Sequence, residues 1–209
     1  AGRRVLATGK ALTTRDDLSI GLSGAITKIL QAYDGPASEI RMVSLSTTLA
    51  TNAVVEGVGG RVGLLMIGFD DKALERADLA RAIGQDPVQF IAGGHRADGS
   101  QQDPFDSATL AATATTMAAD VSAFAVAGHF ATRNPTHEIA AREILRETTG
   151  LPVTCSHELS SALGGPRRAL TAVLNARLIN LLERLIAATE AIMAQQGLAC
   201  PLMVVKGDG

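Results

Sequence analysis

The sequence has no tryptophan, one tyrosine and five phenylalanines, so aromatics make up only 3% of its 209 residues. That excludes a core built on large rings. Ala, Leu, Val and Ile must fill the interior instead, which suits helices packed on a parallel sheet. There are two cysteines, Cys155 and Cys200, without C-x-x-C spacing. They make neither a disulfide framework nor a zinc motif. Each lies in a strand-like segment, where a reduced, buried thiol behaves as a small apolar group. Lys and Arg never run beyond two in a row, and the net charge is −2. This argues against a dedicated nucleic-acid binder, whose affinity rests on neutralising phosphates. No uninterrupted apolar run reaches the roughly 18 residues of a membrane-spanning helix. No signal peptide is visible, so a cytoplasmic location is the expectation. What is present is a globular balance of 46% hydrophobic and 19% charged residues. The length fits one large domain or two small ones.

Strand-like and helix-like segments alternate along the chain. Arg4–Ala11 reads as a strand. A helix over Asp16–Tyr33 places Leu18, Leu22, Ile26, Ile29 and Leu30 on one face. Ile40–Leu45 is a strand, and Ser46 opens a short helix that runs to about Glu56. Val62–Ile67 is a second apolar strand, followed by a helix over Asp71–Ile83. Residues Gln85–Pro104 carry Gly93-Gly94-His95 and Asp98-Gly99, with little helical periodicity, so short strands and a loop are expected. A helix over Thr109–Ala119, a buried strand over Val121–Ala127, a helix over Thr136–Thr148 and a strand over Leu151–Thr154 follow. Arg167–Gln196 is a long helix with an apolar stripe of Leu170, Val173, Leu174, Leu178, Leu181, Leu185 and Ile192. Pro201–Val205 is the last strand. This alternation predicts an α/β fold with a mixed, mostly parallel sheet.

Three groups of residues suggest chemistry. The strand Pro201–Val205 runs into Lys206-Gly207-Asp208-Gly209, where glycines let backbone N–H groups approach an anion. Gly-Asp-Gly also reads as an ordinary tight turn, which is the commoner outcome. Thr47, Thr48, Thr51 and Asn52 cluster at the start of the short helix, where free N–H groups favour an anion or a polarised carbonyl. Capping explains one hydroxyl but not three and an amide. Glu56 either pairs inside such a site or is a solvated helix residue. The third group is Gly93-Gly94-His95 with Asp98. His95 suits an acid/base or ligand role, while a glycine-rich loop carrying an exposed histidine is the plainer alternative. His129, His137 and His157 are well separated, and His137-Glu138 falls in a first helical turn where a structural role is preferred. No His/Glu pair has a metal-ligand spacing. Arg168 and Asn175, seven apart on the long helix, share a face that either reaches a cleft or forms a polar stripe.

The run Ser46-Thr47-Thr48-Leu49-Ala50-Thr51-Asn52-Ala53, with Glu56 after it, resembles a signature of the hydantoinase/oxoprolinase family. Four further segments resemble that family in the same order: Gly60–Leu65, Phe130 with Asn134-Pro135-x-His137-Glu138, Ser156–Leu159 with Thr171–Ala176, and Pro201–Gly209 as its second phosphate loop. Ser46 departs from the family's usual Gly. The family's first phosphate loop, Asp-x-Gly-Gly-Thr-x-Thr-Asp, would precede Arg3 and is not in this sequence. The resemblance implies an actin/ribonuclease H-like three-layer lobe, part of a two-lobe ATPase. Residues 1–199 would be most of the first lobe, and 200–209 the strand and phosphate loop entering the second. It further implies ATP and Mg²⁺ as cofactors and a cyclic amide of the hydantoin or 5-oxoproline type as substrate. The ring carbonyl would be activated by phosphorylation. On this reading Asp208 and His95 are catalytic, and Gly207, Asp208 and Gly209 hold the cofactor. Thr47, Thr48, Thr51, Asn52 and Glu56 line the substrate cleft. An oligomer is expected, with room for a second hydantoinase-type subunit, and the fragment alone is expected to be nearly inactive. Two other readings remain: an ATP-using subunit of an acetone or acetophenone carboxylase-like complex, and an actin-fold nucleotide-binding protein without amide chemistry.

Overall fold

A computed structural model describes residues 4–12, 18–46 and 60–205. They divide into two compact units, one of residues 1–58 with 181–209 and one of residues 59–180.

In the first unit, helix α1 (Leu18–Ala32) follows the opening segment, and a single 3-10 turn covers Ala37–Glu39. Strand β1 (Val43–Ser46) pairs in parallel with β6 (Leu202–Val205), with Val43 opposite Leu202. The strand expected over Arg4–Ala11 is absent: residues 4–12 have no regular secondary structure. Val5 and Leu6 are adjacent, so a strand would turn them to opposite faces, and both stay largely exposed. Instead Gly9 lies close against Ala25 and Ile29 of α1, and Lys28 Nζ donates to the Lys10 carbonyl at 3.0 Å. Cys200 precedes β6 and does not lie in it.

The second unit holds four parallel strands, β2 (Val62–Ile67), β3 (Val88–Ile91), β4 (Ala123–Gly128) and β5 (Val153–Cys155), in the order β3-β2-β4-β5. The helices here are α2 (Leu79–Ile83), α3 (Ser107–Met117), α4 (Thr136–Thr149), the short α5 (Ser156–Leu159) and α6 (Gly165–Gln195), whose last turns belong to the first unit. Every residue of β2 and β4 is buried. Alternation decides which face each serves. Val62, Leu64 and Met66 with Ala123, Ala125 and Ala127 face one cluster, completed by Ala73, Leu79, Ile83 and residues of α6. Leu65, Ile67, Phe124 and Val126 face the other, completed by Leu110 and Ala114 of α3 and Ala141 and Leu145 of α4. The core is therefore aliphatic and alanine-rich, with Phe124 its fully buried aromatic residue among those described.

On α6 the buried face in this unit is Ala169, Ala172, Val173 and Ala176, whereas Leu174 is exposed and drops out of the expected stripe. The alanines of β4 and α6 allow close helix–sheet approach, and Leu174, about 200° around the helix from Ala172 and from Ala176, points away from it. At the amino end of the sheet, Asp86 accepts from Val62 N at 3.1 Å and from Arg177 Nη2 at 2.6 Å, tying α6 to β2.

The helix expected over Asp71–Ile83 is split. A 3-10 turn covers Asp71–Glu75, and α2 starts only at Leu79. Between them Ala77 and Asp78 are left-handed, with φ of 58° and 57°. Ala73 and Leu79 both face the sheet. Six residues apart on one continuous helix, they would point about 240° apart. The break brings both onto the core, at a cost in strain.

Candidate functional site

In open parallel sheets, ligands bind beyond the carboxyl ends of the strands, where neighbouring connections leave in opposite directions. Here β2 leads to α2 on one face and the adjacent β4 leads to α4 on the other. The loops leaving that edge carry Gly68-Phe69-Asp70, Gly93-Gly94-His95 and His129-Phe130, and α5 brings Ser156-His157-Glu158 there directly after β5. Arg168 reaches the same edge from the first turns of α6.

Two polar arrangements form there. The first is built around the fully buried Glu138 carboxylate on α4. Its Oε1 accepts from Gly128 N at 2.6 Å and Ser156 Oγ at 2.6 Å. Its Oε2 accepts from His157 N at 3.0 Å and lies 2.6 Å from His157 Nδ1. Arg168, 1% exposed, donates through Nε to Ser156 Oγ at 3.2 Å, through Nη2 to the Gly128 carbonyl at 2.7 Å and through Nη1 to the Ala162 carbonyl at 2.7 Å. Burial lowers the Arg168 pKa, and the Glu138 charge opposes that. Glu138, Cys155 and His157 lie close enough to resemble a metal triad. Their chemistry does not fit one. Both Glu138 oxygens already accept hydrogen bonds, and Cys155 Sγ donates to the Glu138 carbonyl at 3.5 Å, so the ligand atoms are engaged within the protein; burial, then the Glu138 charge, pushes the thiol up to about 12.

The second arrangement is open. A crevice of about 560 Å³ is bounded by Gly68–Asp70, Ala73 and Arg76 after β2, Phe90–Gly93 at the end of β3, Gln102-Asp103, His129 and Pro166. His129 Nδ1 lies 2.9 Å from Gln102 Oε1, and its ring meets the Phe69 ring edge-on at 5.1 Å. Burial, then the Arg168 charge, lowers the His129 pKa, which keeps the ring neutral at pH 7. The glycines are required by close approach: a Cβ on Gly68 (φ 76°) would sit 2.7 Å from the Gly93 carbonyl oxygen. Phe130 is left-handed at φ 48°, a strained conformation next to His129.

Behind the crevice, His95 and His137 pack with ring centroids 4.2 Å apart, and Phe105 stacks on His137 at 5.2 Å. His137 Nδ1 accepts from Gly94 N at 3.0 Å, and His95 Nε2 lies 3.2 Å from Thr136 Oγ1. Burial lowers both pKa values, with the charge of His95 adding to the effect on His137.

His95 is 2% exposed, so the glycine-rich loop does not carry it outward. Asp98 does not join it: exposed, it accepts from Ser100 N at 2.9 Å and Ser100 Oγ at 2.7 Å in a local turn. Arg168 reaches the strand ends, and half-buried Asn175 is not part of this site. Thr47, Thr48, Thr51, Asn52 and Glu56 lie outside the described residues, as do Gly207, Asp208 and Gly209. His129, Glu138, Ser156 and His157 were not singled out by the sequence reading as a site. A positional signal existed for three of them: His129 and Ser156 follow directly on the carboxyl end of a buried strand, and His157 comes one residue later. Nothing local marked Glu138, whose partners are 10 to 19 residues away.

Comparison with known proteins adds a family. A family model described as the hydantoinase/oxoprolinase N-terminal region matches residues 1–149. The chain is 27% identical over 221 residues to caprolactamase subunit alpha of Pseudomonas jessenii and 28% identical over 233 residues to the acetophenone carboxylase gamma subunit of Aromatoleum aromaticum. Each match covers 96% of this chain and 32% of the relative, so the chain spans about a third of their length. Among solved structures, the ATP-dependent caprolactamase of Pseudomonas jessenii superposes with a TM-score of 0.70 at 27% identity, covering 93% of this chain and 31% of that one. A nucleotide-free acetone carboxylase superposes with a TM-score of 0.62 at 17% identity, a likeness of fold, covering 94% of this chain and 32% of that one.

Proposed function

The chain belongs to the hydantoinase/oxoprolinase family, and we propose that it forms part of an ATP-dependent hydrolase of cyclic amides. The observation that carries this reading is the likeness to the ATP-dependent caprolactamase, which holds in sequence and in three dimensions over nearly the whole chain. The chemistry agrees with it. An amide carbonyl is a poor electrophile, and ATP would supply the phosphoryl group that turns its oxygen into a leaving group. The protein's contribution is then positioning and charge stabilisation.

On this reading residues 1–199 would form most of a first, actin-like lobe and 200–209 would enter a second. Gly207, Asp208 and Gly209 would hold the phosphates, and Asp208 would hold Mg²⁺ or orient the phosphate. Thr47, Thr48, Thr51, Asn52 and Glu56 form a wall of the substrate site. His95 shares that chemistry from behind the crevice. Its burial and its bond to Thr136 suit holding Gly94 and His137 in place better than direct proton transfer. The relatives are named as subunits, which supports a partner subunit and an oligomeric enzyme. No helix among the described residues is long and apolar enough to cross a membrane.

A second reading has its own support: identity to the acetophenone carboxylase subunit is as high as to the caprolactamase. The test is ATP hydrolysis by the full-length protein, together with any subunit that copurifies. Stimulation by a lactam, hydantoin or 5-oxoproline, abolished in Asp208→Ala, supports the hydrolase. Stimulation only by a ketone with bicarbonate moves the assignment to a carboxylase. ATP turnover indifferent to both leaves a nucleotide-binding protein without amide chemistry.

A further inference from the structure

We propose that His129 Nε2 is the hydrogen-bond acceptor for an N–H group of a small neutral ligand, of the lactam or cyclic imide class, seated in the crevice between the carboxyl ends of β2 and β4. The inference rests on the cyclic-amide reading and gives it a binding residue.

The tautomer of His129 follows from its neighbours. Gln102 Nε2 donates to Asp103 Oδ2 at 3.3 Å, and an ionised carboxylate only accepts. The Gln102 amide is thereby oriented, with Oε1 facing His129 at 2.9 Å. A carbonyl oxygen also only accepts, so His129 carries its proton on Nδ1 and presents a lone pair at Nε2. Among the described residues Nε2 has no hydrogen-bond partner, and it is not sealed from solvent. His129 is one of the residues that line the crevice.

The ring is held in place. His129 N donates to the Ile67 carbonyl at 2.9 Å, and the His129 carbonyl accepts from His95 N at 3.0 Å. Gln102 is held by its own N–H, which donates to the Gly94 carbonyl at 3.0 Å. A neutral acceptor on a rigid frame, placed among apolar and polar side chains, can fix the orientation of a small ligand that carries an N–H. Phe69, Phe90, Ile91 and Pro166 are among the apolar ones. Asp70 and Asp103 are set against Arg76 at the crevice, and the Arg168 charge also reaches His129; the charges oppose one another, and the neutral acceptor at Nε2 selects for an N–H group.

The test compares ligands with and without the N–H in the full-length protein, by calorimetric titration without ATP. The probes are pyrrolidinone with its N-methyl derivative and hydantoin with its dimethyl derivative. In the wild type each parent binds about tenfold or more tighter than its methylated form, about 1.4 kcal/mol or more. His129→Ala brings that ratio close to one. His129→Gln, whose amide oxygen is an acceptor, keeps part of it, and Gln102→Leu, which releases the tautomer, reduces it. A ratio unchanged in folded His129→Ala overturns the proposal and leaves the cyclic-amide reading standing. If that variant does not fold, His129→Gln and the wild-type ratio decide, and a wild-type ratio near one overturns the proposal. If no probe binds the wild type and none stimulates ATP hydrolysis, both fail together.

Discussion

The Glu138 cluster and the His129 crevice lie along the same edge of one sheet; the first is buried in apolar core and the second opens to solvent. In the cluster every acceptor is taken: Glu138 receives donors from Gly128, Ser156 and His157, and Arg168 spends its donors on Ser156, Gly128 and Ala162. In the crevice a chain of the same kind, Asp103–Gln102–His129, stops one atom short and faces open space. The difference separates architecture from binding. A saturated buried network positions backbone; here it clamps Gly128, the residue before His129. A network left with one free valence is available to a ligand.

Several variants would break or sharpen that contrast. The largest effect is expected from Glu138→Ala, which orphans the Ser156 and His157 donors and leaves the Arg168 guanidinium buried without its counter-charge. A loss of about 3–5 kcal/mol is expected, read as a lower urea midpoint. Gly68→Ala acts on the other region. It forces a Cβ to 2.7 Å from the Gly93 oxygen in a left-handed backbone, and about 1–3 kcal/mol of stability should be lost. A loss in Glu138→Ala no larger than in Gly68→Ala would remove the claim that the cluster is the structural element of the pair.

The pH dependence of stability comes next. His95, His129 and His137 have folded pKa values below the ordinary 6.5, chiefly because burial penalises the imidazolium. Below 6.5 the unfolded chain takes up protons that the folded chain refuses, so stability rises with pH through that window. Their contribution is fully present above 6.5 and is lost as pH falls towards the lowered folded values. Melting temperatures measured from pH 7.5 down to 5 should decline accordingly, and a flat profile would contradict the burial argument. Cys155 should resist thiol reagents in the native protein and react only on unfolding, as its thiol is buried and pushed up to about 12. Rapid native labelling that is lost in Cys155→Ala would contradict its placement. The smallest effect is a gain: Ala77→Gly relieves a left-handed alanine at φ 58° and should raise stability by about 1 kcal/mol at most.

Much of the fold was legible in advance. Val62–Ile67 forms β2 over the expected span, and the strand over Val121–Ala127 and the helix over Thr136–Thr148 appear within two residues of where periodicity puts them. What escaped prediction has identifiable causes. Val5 and Leu6 suggested a strand that found no partner. The helical pattern over Asp71–Ile83 concealed a break that lets Ala73 and Leu79 both reach the sheet. Leu174 fitted the stripe of α6 by spacing from Leu170, yet the face that is buried is centred on Ala169, Ala172, Val173 and Ala176. For the site, the sequence offered His95 as an acid/base or ligand residue, with an exposed loop histidine as the plainer alternative, and read His137 and Glu138 as parts of a helix start. Instead His95 is buried, and Glu138 is the centre of a network that also engages Arg168 through Ser156.

By itself the sequence determined the α/β class, through the alternation of apolar strands with amphipathic helices, and the family, through motifs whose order survives at low identity. Both are properties of local pattern and of order along the chain. The tertiary structure alone decided which histidine keeps a free lone pair and which carboxylate has none to spare. Those outcomes depend on contacts such as Gln102 with His129, 27 residues apart, and Arg168 with Gly128, 40 apart. A parallel sheet gathers the ends of distant strands at one edge, and a proton's position on an imidazole follows from whichever acceptor that gathering brings to it.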